Sequence, residues 1–172
     1  AYSFSTPELD TDVDNGQHVF MGCCTSYTRL IQDLGSYDAT FVQEKLEIEI
    51  LLDSKSGWLT SQPSLKILHM LPALIGYPHL GILDKIRVMY GLACIRLDDR
   101  KNNSVKKDRE SFLLWLKRHH QSKNSIENFW KLIILPSLND NIHSVNTDMA
   151  MLVLQEGFLG HPTNSIIGFG KA

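Results

Sequence analysis

Hydrophobic residues recur at helical spacing through most of the chain, and in one short segment they alternate with charged residues. The helical spacing predicts helices at about 25–34, 82–98, 112–120, 125–136 and 147–157. The alternation predicts a half-exposed strand. Its apolar face would consist of Leu46, Ile48 and Ile50, and its charged face of Lys45, Glu47 and Glu49. Turn residues 53–57 and the apolar stretch after them complete a predicted β-hairpin near 42–62. The pattern therefore predicts an α+β fold, dominated by helices, with a small antiparallel sheet.

Two helical segments are unusually apolar. Residues 65–75 are hydrophobic on nearly every side and contain Pro72, which we expect to kink or end the helix. In the helix after it, one stripe is apolar and the other side is polar. The stripe consists of Ile82, Ile86, Met89 and Ala93, and the polar side of Asp84, Lys85, Arg87 and Arg96. Neither segment approaches the roughly 18 consecutive apolar residues of a membrane-spanning helix.

Composition and charge narrow the class of protein. The chain has 172 residues, 43% of them hydrophobic and 21% charged, which is typical of a packed globular domain and excludes a disordered or collagen-like chain. The net charge of −2 excludes a globally basic nucleic-acid binder. The charge is uneven, because residues 1–62 hold ten acids against three bases and residues 84–123 hold eleven bases against five acids. The basic segment is either a solvated face or a surface that meets something anionic.

The cysteines and histidines do not indicate a disulfide framework or a metal site. The cysteines are odd in number and two are adjacent, so a framework of disulfides is not expected, and a reducing compartment fits best. Because the chain also lacks the order of charges typical of a signal peptide, we expect a cytoplasmic protein. The seven histidines show no metal-binding spacing, and we predict no metal site. A nucleophile elbow and a phosphate-binding loop are also absent from the sequence.

Residues 14–24, DNGQHVFMGCC, form the most informative segment. Gly16 would let the backbone approach a planar ligand closely, and Asn15, Gln17 and His18 offer several hydrogen-bonding groups at one point. The same residues are equally compatible with a tight turn before a strand.

Three segments, in order along the chain, resemble a known family. They are DNGQHVFMGCCTSY (14–27), FLLWLKRHHQSKNSIENFWKLIILPSLND (112–140) and MAMLVLQEGFLGHP (149–162). Together they are similar to the squalene-associated, FAD-dependent desaturases of the flavin amine oxidase superfamily, which include the hydroxysqualene dehydroxylases. The resemblance covers most of the chain, from about residue 14 to residue 162.

The resemblance implies that the chain is an internal part of such an enzyme. Residues 1–24 would be a flavin-facing loop and turn, and residues 25–172 a mostly helical substrate-binding domain that contains the hairpin. The Gly-rich turn that cradles the ADP part of FAD in this family is missing, as is most of the Rossmann-type half. We therefore expect this chain to depend on the remainder of the same polypeptide for tight FAD binding and to be inactive alone.

The resemblance also implies the site residues. Asn15, Gly16, Gln17 and His18 would lie beside the flavin ring, with His18 acting on the ring or the substrate; the alternative for His18 is a buried histidine bonded to backbone. Glu156, among apolar residues, would suit a proton donor, and the alternative is an exposed glutamate at a helix end. Phe129 and Trp130 either line a lipid pocket or belong to the core.

The implied reaction is the reductive removal of the hydroxyl group of hydroxysqualene to give squalene, in hopanoid biosynthesis. The hydroxyl leaves as water, a neighbouring double bond stabilises the allylic cation, and reduced FAD supplies the hydride. The apolar segments 65–75 and 82–97 would wall a water-poor tunnel, and the basic segment would dock on the inner face of a membrane that holds the isoprenoid substrate. One alternative is a carotenoid (phytoene-type) desaturase. Another, from a different class, is a non-catalytic lipid-binding or interaction module.

Overall fold

The structure, a computed structural model, describes residues 3–5, 12–14, 19–52, 54–99 and 110–170. Its helices confirm the α+β class. The α-helices are α1 (Thr25–Asp33), α2 (Leu71–Gly76), α3 (Ile82–Leu97), α4 (Phe112–Arg118), α5 (Lys123–Ser125), α6 (Lys131–Leu138) and α7 (Thr147–Val153). Two π-helical stretches, Ile126–Trp130 and Leu154–Phe158, continue α5 and α7. Short 3-10 helices lie at Tyr37–Ala39, Pro63–Leu68 and Pro162–Asn164.

The strands of the described residues form small antiparallel sheets. They are β1 (Ser3–Ser5), β2 (Asp12–Asp14), β3 (Val19–Met21), β4 (Thr40–Val42), β5 (Glu47–Leu52), β6 (Lys55–Thr60) and β7 (Ile167–Gly170). Strand β1 pairs with β2, and the predicted hairpin is confirmed as β5 paired with β6. The third sheet has the order β3-β7-β4, so β7 joins two strands from the beginning of the chain.

Helix α3 is placed by one hydrogen-bonded pair in the core. The indole Nε1 of Trp130 donates to Gln121 Oε1 at 2.8 Å, and both side chains are buried. Gln121 Nε2 in turn donates to the carbonyl of Arg87, within α3, at 2.7 Å. Gly91 lets the helix approach this pair, since a Cβ there would lie 2.9 Å from the Trp130 ring. The satisfied polar pair therefore fixes which side of α3 faces the core.

The buried side of α3 is not its predicted apolar stripe. Its buried residues are Val88, Gly91 and Ile95, whereas the stripe is exposed at Ile82, Ile86 and Ala93. Apolar residues lie on both of these sides, so periodicity does not distinguish the inner side of the helix from the outer. Contacts with the core determine which side is buried.

The expectation that Pro72 kinks or ends a helix is wrong. Residues 65–75 do not form one helix, because a 3-10 segment comes first and Lys66 within it has a φ of 49°. Pro72 then lies in the first turn of α2, where the missing backbone N–H would have had no helical partner. The proline begins the helix instead of ending it.

The core lies between α3, α4, the α5–α6 run and α7. Its fully buried large side chains include Trp130, Tyr77, Phe112, Leu116, Ile134 and Leu154. Phe129 and Trp130 are therefore core residues, not the walls of a lipid pocket. The predicted starts of α4 and α7 are confirmed, and both are capped: Ser111 Oγ accepts from Leu114 N, and Asn146 Oδ1 accepts from Met149 N. In the described residues, no helix is long and apolar enough to cross a membrane.

Gly91→Ala should destabilise the protein although alanine favours helices. The new Cβ would press on Trp130 and Gln121, and we expect a net loss of about 1–2 kcal/mol of unfolding free energy. Denaturant unfolding followed by circular dichroism measures this. Gly76→Ala in α2 is the matched control, because a Cβ there meets nothing within 4 Å. Equal stability of the two variants would contradict the packing described for α3.

Candidate functional site

The four predicted flavin-facing residues, Asn15, Gly16, Gln17 and His18, lie outside the described residues. The chain beyond them is described, and it enters β3 at once. Strand β3 pairs with β7 in the register Val19 to Phe169 and Met21 to Ile167. The four residues therefore lead directly into a paired strand of the three-stranded sheet.

A tight corner follows β3. Cys24 N donates to Met21 O at 2.9 Å, which closes a turn, and Gly22 N donates to Ile166 O at the same distance. Cys23 N donates to Asn164 O at 3.1 Å. Any side chain at Gly22 would collide with the Thr163 carbonyl, 1.9 Å from an ideal Cβ. The corner therefore joins residues 21–24 to residues 161–166, which lie near the other end of the described chain.

Glu156 lies at this corner. Its side chain is exposed on the π-helical stretch after α7, which agrees with the second of its two interpretations, an exposed glutamate at a helix end. Its carbonyl accepts from Asn164 Nδ2 at 2.9 Å, and its carboxylate acts electrostatically on Cys23. Cys23 follows the end of β3, whereas residues 15–18 precede its beginning, and a strand of three residues spans about 10 Å. The structure therefore does not bring Glu156 to the end of the strand that His18 precedes.

The Cys23 thiol is not activated. Burial, then the neighbouring Cys24 thiol, raises the pKa of Cys23 to about 11, and Glu156 adds to the shift. A thiol with this pKa is protonated at neutral pH and is a poor nucleophile. Cys24 is exposed at the start of α1. The described residues also contain no group of three or more histidine, cysteine or acidic side chains that could hold a metal ion.

A buried histidine beside the corner was not predicted from the sequence. His69 is fully buried, with Nδ1 2.8 Å from the Lys66 carbonyl and Nε2 3.3 Å from Ser165 Oγ. Since a carbonyl only accepts, Nδ1 carries the hydrogen, and the single hydrogen of the Ser165 hydroxyl is shared between Nε2 and the Pro162 carbonyl, 2.9 Å from Oγ. The pair joins residues 96 positions apart, and no local pattern could reveal it. Both side chains are inaccessible, so the pair holds the 161–166 segment in place.

An apolar row lies on the exposed side of the three-stranded sheet. Val19, Phe169 and Phe41 face one another across β3, β7 and β4 in register, and all three are exposed. The rings of Phe41 and Phe169 have centroids 5.0 Å apart. On the opposite side Phe20 covers Gly168 and contacts Tyr27 of α1. The row begins directly after His18 and is the nearest described surface in sequence.

Only one of the two segments predicted to wall a tunnel lines the cleft beside α2. This cleft has a volume of about 630 Å³ and lies between β6 and α2. Pro72, Ala73 and Gly76 line it on one side and Trp58 on the other, with no residue of α3. The cleft is therefore lined by part of segment 65–75 without α3, whose apolar stripe is exposed, and a tunnel walled by segments 65–75 and 82–97 stays a prediction.

Comparison with known proteins adds no assignment. No protein-family model matches the chain, and no curated protein matches it.

Protein stability should depend on pH through His69. Burial lowers the pKa of this histidine below its ordinary value of 6.5, and His161 and Arg96 lower it further. The unfolded chain therefore binds a proton that the folded protein does not, so the unfolding free energy should fall as the pH decreases from above 6.5 towards the lowered pKa.

Urea unfolding between neutral and mildly acidic pH measures this dependence. His69→Gln should remove part of it, whereas His143→Gln, at an exposed position, should not. The pKa of His69 can also be read directly in the wild-type protein by NMR titration. A value above 6.5 there would contradict the buried environment, even if the variant fails to fold.

Proposed function

We propose that the chain is the flavin-contacting and substrate-binding part of an FAD-dependent oxidoreductase that reduces hydroxysqualene to squalene. The observation that carries the proposal is the corner between residues 19–24 and 154–170. Two of the three segments that resemble the family meet there, through the contact of Met21 with Gly157. The bonds from Gly22 N to Ile166 O and from Cys23 N to Asn164 O continue this contact just beyond the second segment. The third segment supplies the core beneath them, with Phe112, Trp115 and Trp130.

The described surface fits one side of a planar ring system. Val19, Phe41 and Phe169 form an exposed apolar row that continues from the segment containing Asn15, Gly16, Gln17 and His18. Aromatic side chains of this kind pack against flat ligands and exclude water from them. Bound FAD, when reduced, would supply hydride. The phosphates would be held by polypeptide outside this chain, because the sequence has no Gly-rich phosphate-binding turn.

The chain's own residues would position the substrate and keep water out. Gly16 would allow close approach of the backbone, and Gln17 and His18 would orient polar groups by hydrogen bonds. The β3-β7-β4 sheet would connect this segment to the rest of the described chain, since β7 pairs with both outer strands. The exposed apolar side of α1, made of Tyr27, Leu30 and Leu34, offers a surface for the FAD-binding remainder of the polypeptide.

The proposal is tested with the chain extended by its natural flanking sequence. The purified protein should be yellow, bind FAD, and convert hydroxysqualene to squalene under reducing conditions. Assays with phytoene separate this activity from that of a carotenoid desaturase. A colourless protein that refuses added FAD would overturn the proposal and favour a lipid-binding module.

Substitutions in residues 15–18 should act on turnover more than on folding. We expect Gln17→Ala and His18→Ala to lower kcat by about tenfold or more, with little change in thermal stability. Glu156→Gln should have less than about a twofold effect, because its side chain is exposed and lies near the other end of β3. Wild-type turnover and an unchanged flavin spectrum in the first two variants would show that the flavin lies elsewhere.

A further inference from the structure

Helix α3 exposes an unusually large apolar surface. Its six outward residues are Ile82, Leu83, Ile86, Tyr90, Ala93 and Leu97. At about 100° per residue they share an arc of roughly 100° along the whole helix. Ile82 is 80% exposed and Leu97 is 85% exposed, so the two ends of the arc are the least covered. We call these six residues the outer arc.

The outer arc is distinct from the side of α3 that packs on the core. The opposite side of α3 already packs on the core through Val88, Gly91 and Ile95. The bond from Gln121 to the Arg87 carbonyl and the close approach at Gly91 fix this orientation. Turning the outer arc inward would require breaking both contacts. The arc is therefore a second apolar face on a helix whose first face is fully used.

Cations flank the outer arc on both sides. Lys85 and Arg96 follow one edge, and Arg87 follows the other. Their side chains are held by the protein: Lys85 donates to Ile75 O, Arg96 to Leu159 O, and Arg87 to Asp84 at 3.2 Å. Asp84, the one acid within α3, points away from the arc and also accepts from Ser122 Oγ and Asn124 Nδ2. The arc is thus apolar along its centre and basic along both edges within α3, and two acids, Asp98 and Asp99, follow its last residue.

The sequence beyond α3 adds to this charge. Residues 82–109 contain eight bases and four acids, a net charge of +4. Five of the bases lie in residues 100–109, which are outside the described part and begin three residues after Leu97. Another exposed apolar side, on α1, lies in the acidic part of the chain, where residues 1–62 carry a net charge of −7. The charges therefore distinguish the two apolar faces.

We propose that the outer arc of α3 docks on an anionic lipid bilayer, with the helix lying in the plane of the interface. An apolar face flanked by Lys and Arg matches such a surface, since the apolar side chains enter the acyl region and the cations meet the headgroups. The helix has 16 residues, about 24 Å, so it is too short to cross the roughly 30 Å of hydrocarbon. The proposal stands on α3 alone and does not require the flavin chemistry.

Flotation of the purified chain with vesicles tests the proposal. We expect binding to vesicles of phosphatidylcholine mixed with phosphatidylglycerol, weaker binding to phosphatidylcholine alone, and a decrease as salt is raised. Ile86→Glu and Leu97→Glu should each weaken binding by about tenfold, because an aliphatic side chain that enters the acyl region of the bilayer is replaced by an acid. Leu34→Glu, on the exposed face of α1, is the matched control and should bind like the wild type, within about twofold.

A fluorescent reporter covers the case in which the charged variants fail to fold. Tyr90→Trp places an indole on the outer arc, and its emission should shift to the blue when anionic vesicles are added. Leu34→Trp should show no such shift.

The proposal is overturned if the wild type does not float with anionic vesicles, or if the arc variants and the α1 control float alike. It is also overturned if light scattering shows a dimer that only the arc variants dissociate, since a second copy would then cover the arc. No flavin enters these assays, so their failure would leave the proposed function standing.

Discussion

The hydrogen bond between Trp130 and Gln121 determines how the helices of this protein are arranged. Both groups are buried, and each would be costly to leave without a partner. The side-chain amide of Gln121 donates to the carbonyls of Arg87 and His119, so three helical segments meet at one side chain. The absence of a side chain at Gly91 lets α3 come close enough for this arrangement. As a result α3 has no freedom to rotate, and its second apolar side faces outward.

The pairing of β3 with β7 has a similar role for the candidate site. It brings the segment after His18 against the segment after α7, with Gly22 allowing backbone contact at Thr163. The buried pair of His69 and Ser165 supports this contact from behind. The site proposed for flavin contact is thus built on a sheet and a buried polar pair, which hold their positions better than a loop alone.

The sequence predicts elements whose signals are local, and it does not predict features that depend on contacts between distant residues. The β5–β6 hairpin and the starts of α4 and α7 are confirmed, because alternation and capping chemistry act within a few residues. The expected role of Pro72 is wrong, since it depends on the preceding 3-10 turn. The buried side of α3 is not predicted, since it depends on Trp130 and Gln121. Of the two environments that the sequence left open for Glu156, the structure has the exposed one. His69 and Ser165 come together only through the tertiary fold, and the predicted residues 15–18 lie outside the described structure.

The sheet order β3-β7-β4 also bears on how the protein assembles. Almost all of the described chain lies between the partners Met21 and Ile167, so closing this pair costs more chain entropy than forming the β5–β6 hairpin. We expect the hairpin and the helices to form first and the sheet at the candidate site to close late in folding. Contacts that form late and bury little surface are also the first to open in native-state fluctuations. Amide exchange should therefore be faster in β3 and β7 than in the helices around Trp130.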